Sequence, residues 1–208
     1  MIDDESAGSP AVIAGVILAG GRAQRMGGGD KGLVRLAGRP IIGHVIERLA
    51  PQVDRLALNA NGDPARFAAF GLPVIPDGVP GHPGPLAGIL AGLDWAAGIG
   101  APAIVTAAAD TPFFPLDLVR RLKAAAKAAE TRVAVAAGTD GLHPTFGLWA
   151  TSDRGALEAA LAAGTRRVLD WAEACQAATA VFPDAGDAFF NVNTPADRLR
   201  AETIAAGC

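Results

Sequence analysis

Apolar residues fall into two alternating kinds of run along the chain: short unbroken blocks rich in Val and Ile, and longer stretches with helical spacing. Val12–Leu18 (V-I-A-G-V-I-L) is a block with no polar face, which predicts a strand covered on both sides, as the central strands of parallel sheets are. A glycine-rich loop, Ala19–Gly38, follows it. Pro40 is suited to the first turn of a helix, and Ile41–Leu49 has helical apolar spacing. Val53–Leu58 predicts a second strand, ending at the turn-forming Asn59-Ala60-Asn61-Gly62. Pro64–Phe70 reads as a short helix, Pro73–Pro76 as a short strand, and Asp77–Pro85 as a loop whose prolines and glycines deny it a regular ladder. A helix over Leu86–Ala97 and a buried strand over Ala103–Ala108 come next, the strand running into Asp110-Thr111-Pro112. Leu116–Ala129 predicts a helix, and Arg132–Ala137 and Thr145–Ala150 predict strands. Helices near Asp153–Ala163 and Arg167–Ala177, a loop at Asn191–Pro195 and a helix over Ala196–Ala206 complete the chain.

Strand–helix alternation without an internal repeat or a dividing linker predicts one α/β domain over residues 11–208. Its expected architecture is a three-layer α/β/α, Rossmann-like fold with a mostly parallel sheet and right-handed crossovers. Ligands of such sheets bind in the crevice beyond the carboxyl ends of the strands. The polar, loop-forming clusters after the first strand, the second strand and Ala103–Ala108 all fall on that edge.

Composition narrows the partners. Half of the residues are hydrophobic, 19% are charged and the net charge is −3, so no general basic field is available for nucleic acid. An anionic ligand must be held by a local constellation. Cys175 and Cys208 stand in no Cys-x-x-Cys, which argues against zinc and against a disulfide framework. Residues 1–10 (M-I-D-D-E-S-A-G-S-P) are acidic where a secretory leader is basic, and are expected to be a flexible extension. The apolar run Ala11–Gly20 is too short to span a bilayer, so no membrane partner and a cytoplasmic location are expected.

The glycine-rich loop carries the chemistry. Val16–Gly32 lacks the Ser or Thr that a Walker A lysine is followed by, because Gly32 follows Lys31. Gly27-x-Gly29-x-x-Gly32 matches a dinucleotide fingerprint in letters, but begins well past the strand and does not lead into a helix. What remains is a strand end, Leu18-Ala19-Gly20-Gly21, followed by Arg22, Arg25 and Lys31. Gly20 and Gly21 let backbone amides approach anionic oxygens, and the cations complete a cage suited to a triphosphate. A surface loop with solvated cations is the competing reading.

L-A-G-G-x-x-x-R-M-G-G-x-D-K-G over Leu18–Gly32 resembles the signature of the molybdenum cofactor guanylyltransferases. These are nucleotidyltransferases of the nucleotide-diphospho-sugar transferase fold type. Further segments resemble the same family: Asn59-Ala60-Asn61, Gly84-Pro85-Leu86-Ala87-Gly88, Asp110-Thr111-Pro112, His143-Pro144-Thr145, Asn191-Val192-Asn193-Thr194-Pro195, and Gly164-x-Arg166-Arg167-Val168. The resemblance implies that Leu18, Ala19, Gly20, Gly21, Lys31, Asn59, Asp77 and Asp110 contact GTP, with Arg25, Lys31 and Asp110 at the reacting centre. It implies Mg²⁺ on Asp110 and the pterin phosphate near Arg25, Arg167, Asn191 and Asn193. Whether Arg166 or Arg167 faces the site is open, the motif favouring Arg167.

Physical arguments stand beside several of these roles. A carboxylate at a strand's carboxyl end, as Asp110 is, suits Mg²⁺, which takes one or two carboxylates and fills its shell with water and phosphate. Capping of the next helical turn is the alternative for Asp110. A loop carboxylate such as Asp77 can accept from the N1–H and N2–H₂ edge of guanine; an Asx turn before Gly78 is the alternative. For the paired asparagines, Asn191 and Asn193, the alternative is a turn before the last helix. His44, Trp95, Trp149 and Trp171 read as helix-surface or packing residues, and Arg120, Arg121, Lys123 and Lys127 as a solvated helix face.

The implied reaction is transfer of GMP from GTP to molybdenum-molybdopterin, with release of pyrophosphate. Transient contact with molybdopterin-delivering proteins and molybdoenzyme chaperones is expected with it. A cytidylyl- or sugar-nucleotide transferase, or a catalytically silent nucleotide- and cofactor-binding protein, are the alternatives.

Overall fold

The computed structural model describes residues 12–20, 31–78, 84–183 and 186–207. The expected extension at residues 1–10, together with Gly21, Arg22 and Arg25, lies outside the described residues.

The described residues form a seven-stranded mixed sheet with helices on both faces. Its strands are β1 (Ile13–Leu18), β4 (Arg55–Asn59), β5 (Val74–Ile75), β6 (Ala103–Ala108), β7 (Ala134–Gly138), β8 (Gly141–Ala150) and β9 (Ala178–Val181), in the spatial order β5-β4-β1-β6-β8-β7-β9. Pairings β5/β4, β4/β1, β1/β6 and β7/β9 are parallel, and β8 runs antiparallel between β6 and β7. The three-layer, mostly parallel arrangement read from the sequence is therefore the one observed.

β1 is apolar throughout because both of its faces are covered. Ile13 and Ile17 pack with Leu49, Leu58, Phe114 and Leu118 on the side of helices α1 (Ile41–Leu49) and α3 (Leu118–Ala128). Ala14 and Val16 pack with Ile89, Leu93, Trp149 and Trp171 on the side of α2 (Pro85–Gly98), α4 (Arg154–Ala162) and α5 (Val168–Ala174). Glycine lets α2 approach closely: a Cβ at Gly92 would meet Ile104 and Val16 at 2.9 Å. Helix α6 (Pro195–Ala206) closes a third small cluster of Leu36, Ile41, Val192 and Ala201.

Several boundaries differ from the sequence reading. Pro40 sits in β3 (Arg39–Pro40), which pairs with β2 (Arg35–Leu36) as a two-residue hairpin inside the stretch expected to be loop. Ala37 and Gly38 turn it at φ 47° and 79°, and such strands are too short for alternation to reveal. The second strand is shifted to Arg55–Asn59, so Asn59 belongs to the ladder rather than to the turn. β8 begins at Gly141, four residues before the expected Thr145, and Pro144 falls in its irregular pairing with β7, where no ladder N–H is required. β9 occupies residues beyond α5 that had no assignment, and its alternate exposure marks a sheet edge.

The tryptophan readings hold for Trp149 and Trp171, both buried. Burial pushes the Cys175 thiol up to about 11, which keeps it a neutral packing group at physiological pH. Among the described residues no helix is long and apolar enough to cross a membrane.

Trp149 has one polar atom to satisfy, and its indole N–H donates to Thr106 Oγ1 at 2.9 Å. Thr106→Val keeps the shape, removes that acceptor and lowers unfolding free energy in urea by about 1–3 kcal/mol, the usual penalty for an orphaned buried donor.

Candidate active site

The carboxyl ends of β1, β4, β5 and β6 are stitched together one residue beyond the regular ladder. The Ala19 N–H donates to the Asn59 carbonyl at 2.8 Å, Ala109 N–H to the Leu18 carbonyl at 3.1 Å, and Ala60 N–H to the Ile75 carbonyl at 3.1 Å. The amide of Ala19 is thus committed to the protein, and Gly20 is the first backbone amide of this rim outside these bonds. Above the rim opens a cleft of about 950 Å³ whose walls include Leu18, Ala19, Gly20, Asn59, Asp77 and Asp110. Its size is that of a site for a large small-molecule ligand.

Asn59 forms the floor on one side. As the last residue of β4 it points away from Leu58, toward the first turns of α2, and is 3% exposed. Its amide nitrogen donates to the Ile75 carbonyl at 3.1 Å and to Asp77 Oδ1 at 2.9 Å. Asn61 completes the grip on Asp77, donating to Oδ2 at 2.6 Å and accepting from the Asp77 N–H at 2.8 Å. Asp77 is therefore not the self-contained Asx turn that its Gly78 neighbour allowed. The glycine of Gly84-Pro85-Leu86-Ala87-Gly88 also has its reason here. A Cβ on Gly88 would lie 2.2 Å from Asn59 Oδ1, so only glycine lets α2 start over this amide.

Asp110 anchors the other side. It is half-buried two residues past β6, and its carbonyl accepts from the Val192 N–H at 2.8 Å. The buried Thr111 hydroxyl lies between Asp110 Oδ1, at 3.3 Å, and Asn191 Oδ1, to which it makes a short hydrogen bond. Asn191 thereby reaches the cleft. Asn193 serves the chain's geometry: its N–H and that of Thr194 donate to Asp197 Oδ2, and Thr194 caps α6 in a capping box. Asn191 is therefore a cleft residue, and the Asn193 backbone belongs to the turn that leads into α6.

Lys31 opens a 3₁₀ turn, Lys31–Leu33, and the next residue, Gly32, presses on Ala109. A Cβ on Gly32 would meet that of Ala109 at 3.3 Å. The Lys31 backbone is thus brought beside the strand end that carries Asp110. Neither Arg166 nor Arg167 is among the residues lining the cleft. Arg166 donates to the carbonyls of Leu161 and Thr165 at 2.9 Å, while Arg167, 72% exposed, pairs with Asp170 at 3.3 Å. His143 stacks on Phe189 at 4.4 Å, and its hydrogen bond holds the Asp140 carboxyl below the usual range. Thr145, two residues on, lines the cleft. Asn61, Arg66 and Thr145 are cleft residues to which the sequence reading gave no role; Asn61 and Thr145 lay inside motifs whose members it left undivided.

Among the described residues no cluster of three or more His, Cys, Asp or Glu can hold a metal. A half-buried carboxylate such as Asp110 fits a hard divalent ion that draws its other ligands from phosphate and water.

Residues 15–178 match the family model of the MobA-like NTP transferase domain. The chain belongs to the MobA-like NTP transferase family. Within that family, the molybdenum cofactor guanylyltransferase of Bradyrhizobium sp. (strain ORS 278) is 52% identical over 198 residues, covering 93% of each chain. The crystal structure of molybdopterin-guanine dinucleotide biosynthesis protein A from Archaeoglobus fulgidus superposes with a TM-score of 0.73 at 26% identity, over 94% of this chain and all of that one. Rv0371c from Mycobacterium tuberculosis, solved in complex with manganese, shares the fold with a TM-score of 0.65 at 21% identity, over 92% of this chain and 98% of that one.

Because Gly88 is pressed on Asn59, Gly88→Ala tests whether the MobA-like cleft depends on that contact. The variant should fold but unfold at lower temperature in thermal melts, by the equivalent of about 1–3 kcal/mol, the usual cost of overpacking a tight contact.

Proposed function

We propose that the protein transfers GMP from GTP to molybdenum-molybdopterin, forming the guanine dinucleotide form of the cofactor and releasing pyrophosphate. The observation that carries the reading is the placement of two carboxylates, Asp77 and Asp110, each two residues past a strand of the same rim. Strands β5 and β6 are separated by β4 and β1, which sets the two positions roughly 14 Å apart at the usual 4.8 Å strand spacing. An extended purine nucleotide spans such a distance, with its base at Asp77 and its phosphates along β1 toward Asp110.

At the base end, Asp77 accepts from N1–H and N2–H₂ of guanine. At the phosphate end, the amides of Gly20 and Gly21 and the ammonium of Lys31 neutralise the triphosphate. Asp110 would hold Mg²⁺, which supplies charge neutralisation on the phosphates when bound. Arg25, Asn191, Asn193 and Arg167 receive the pterin phosphate in this reading. Arg167 has only an exposed ion pair with Asp170 to give up, and such pairs contribute little. The attacking phosphate is already ionised at neutral pH, so the reaction needs no general base. One of its oxygens bonds to the α-phosphorus while the bond from that phosphorus to the bridging oxygen breaks, and pyrophosphate leaves with the electron pair. The protein contributes position and charge. The cytoplasm is the proposed location, as the compartment that supplies GTP.

Purified protein incubated with GTP, magnesium and molybdopterin should yield the dinucleotide product, identified by mass, together with pyrophosphate. Binding of both substrates without pyrophosphate release would mark a silent binding protein instead, and tighter binding of CTP than GTP would overturn the guanine assignment. Lys31→Ala and Asp110→Asn should each lower kcat by about 100-fold or more with the fold intact, as removal of a transition-state charge contact does. Unchanged turnover in either would remove that residue from the mechanism.

A further inference from the structure

We infer that Asn61 is a positioning residue for guanine recognition, holding the Asp77 carboxylate in the plane in which both of its oxygens face the base. The inference rests on the reading of Asp77 as the base-binding carboxylate and adds the device that orients it. Asp77 stands between Pro76 and Gly78, in a segment with no ladder of its own. Its side chain can turn freely unless other residues hold it. Guanine offers N1–H and N2–H₂ as two parallel donors, and a carboxylate meets both only when its plane is set before the base arrives.

Asn61 supplies that constraint at two points. Its Nδ2 donates to Asp77 Oδ2 at 2.6 Å, and its Oδ1 accepts from the Asp77 N–H at 2.8 Å. The partners fix the orientation of the amide, because an ionised carboxylate only accepts and a backbone N–H only donates. Asn59 takes the other oxygen, Oδ1, at 2.9 Å. Each oxygen of Asp77 thus has one amide donor and keeps lone-pair capacity for a second, which is what a two-donor base edge needs.

Asn61 is itself held in place. Its carbonyl accepts from Arg66 Nη2 at 2.5 Å, and Arg66 Nε donates to the Asp63 carbonyl at 2.9 Å. Asp63 in turn caps the 3₁₀ turn Pro64–Phe70 through the Ala65 N–H at 2.9 Å. A helical turn on one segment therefore sets a carboxylate on another. Asn61 is exposed and outside the core, so its removal spares the fold.

The test compares GTP with ITP, which lacks the N2 amino group, in steady-state turnover with molybdopterin. Asn61→Ala should raise KM for GTP by about 10-fold, the scale of one lost charge-assisted hydrogen bond, with kcat within about twofold. It should raise KM for ITP much less, so that the preference for GTP narrows. Asn61→Asp, which keeps the shape but puts an acceptor against Asp77, should raise KM for GTP further still. Thermal melting should match the parent in both. Asp77→Ala, run alongside, separates two failures. If it leaves the GTP-over-ITP preference intact, the guanine reading of Asp77 falls. If it abolishes the preference while Asn61→Ala leaves it unchanged, or if Asn61→Ala lowers kcat equally with both nucleotides, the role given to Asn61 is overturned.

Discussion

Asn59 is a polar side chain in a place otherwise reserved for apolar ones, and the cleft is built on its hydrogen bonds. At the end of β4 its amide is almost wholly buried, and its nitrogen finds its partners inside the protein. Ile75 and Asp77 satisfy the nitrogen, tying the short edge strand β5 and the loop beyond it to the centre of the sheet. The same side chain sets how near α2 comes, because Gly88 lies directly against its oxygen. One buried amide thus ties together strand, loop and helix on one side of the cleft.

The opposite side is built by different means. There the Asp110 carbonyl and the Thr111 hydroxyl engage the Asn191–Pro195 segment, some eighty residues later in the chain. That segment is pinned from its far end by the capping box of α6 and by the buried Val192. A helix cap and a strand end together carry Asn191 to the rim. One side of the cleft is therefore completed by late elements of the chain, and the other is built from β1, β4 and β5. A transferase that must bring two phosphate groups into line gains from walls set by separate parts of the chain.

Antiparallel β8 links these two halves. Inserted between β6 and β7, it brings Thr145 to the cleft and places His143 against Phe189, within a chain of aromatic contacts that continues through Phe146 to Phe114. The same strand carries Trp149 to its buried bond with Thr106 on β6. The packing that positions the site on one end of β8 is continuous with the core at the other.

Local patterning in the sequence was enough to locate β1 and β6 and the polar rim after them, because a strand buried on both faces has no polar positions and must end where glycine, asparagine or aspartate begins. The family resemblance, rather than any period, singled out Leu18–Gly20, Asn59, Asp77, Asp110 and Asn191, all of which the fold brings to one cleft. The β2–β3 hairpin, the early start of β8 and the edge strand β9 escaped local patterning, since two to four residues of ladder are specified by a partner strand and carry no period of their own. Nor did any spacing in the sequence distinguish Asn61 from Asn59, mark Gly88 as a contact, or turn Arg167 toward Asp170. Those outcomes depend on partners 16, 29 and 3 residues away along the chain. Residue type and periodicity determine which groups are able to bond; only the register of the folded sheet decides which of them meet.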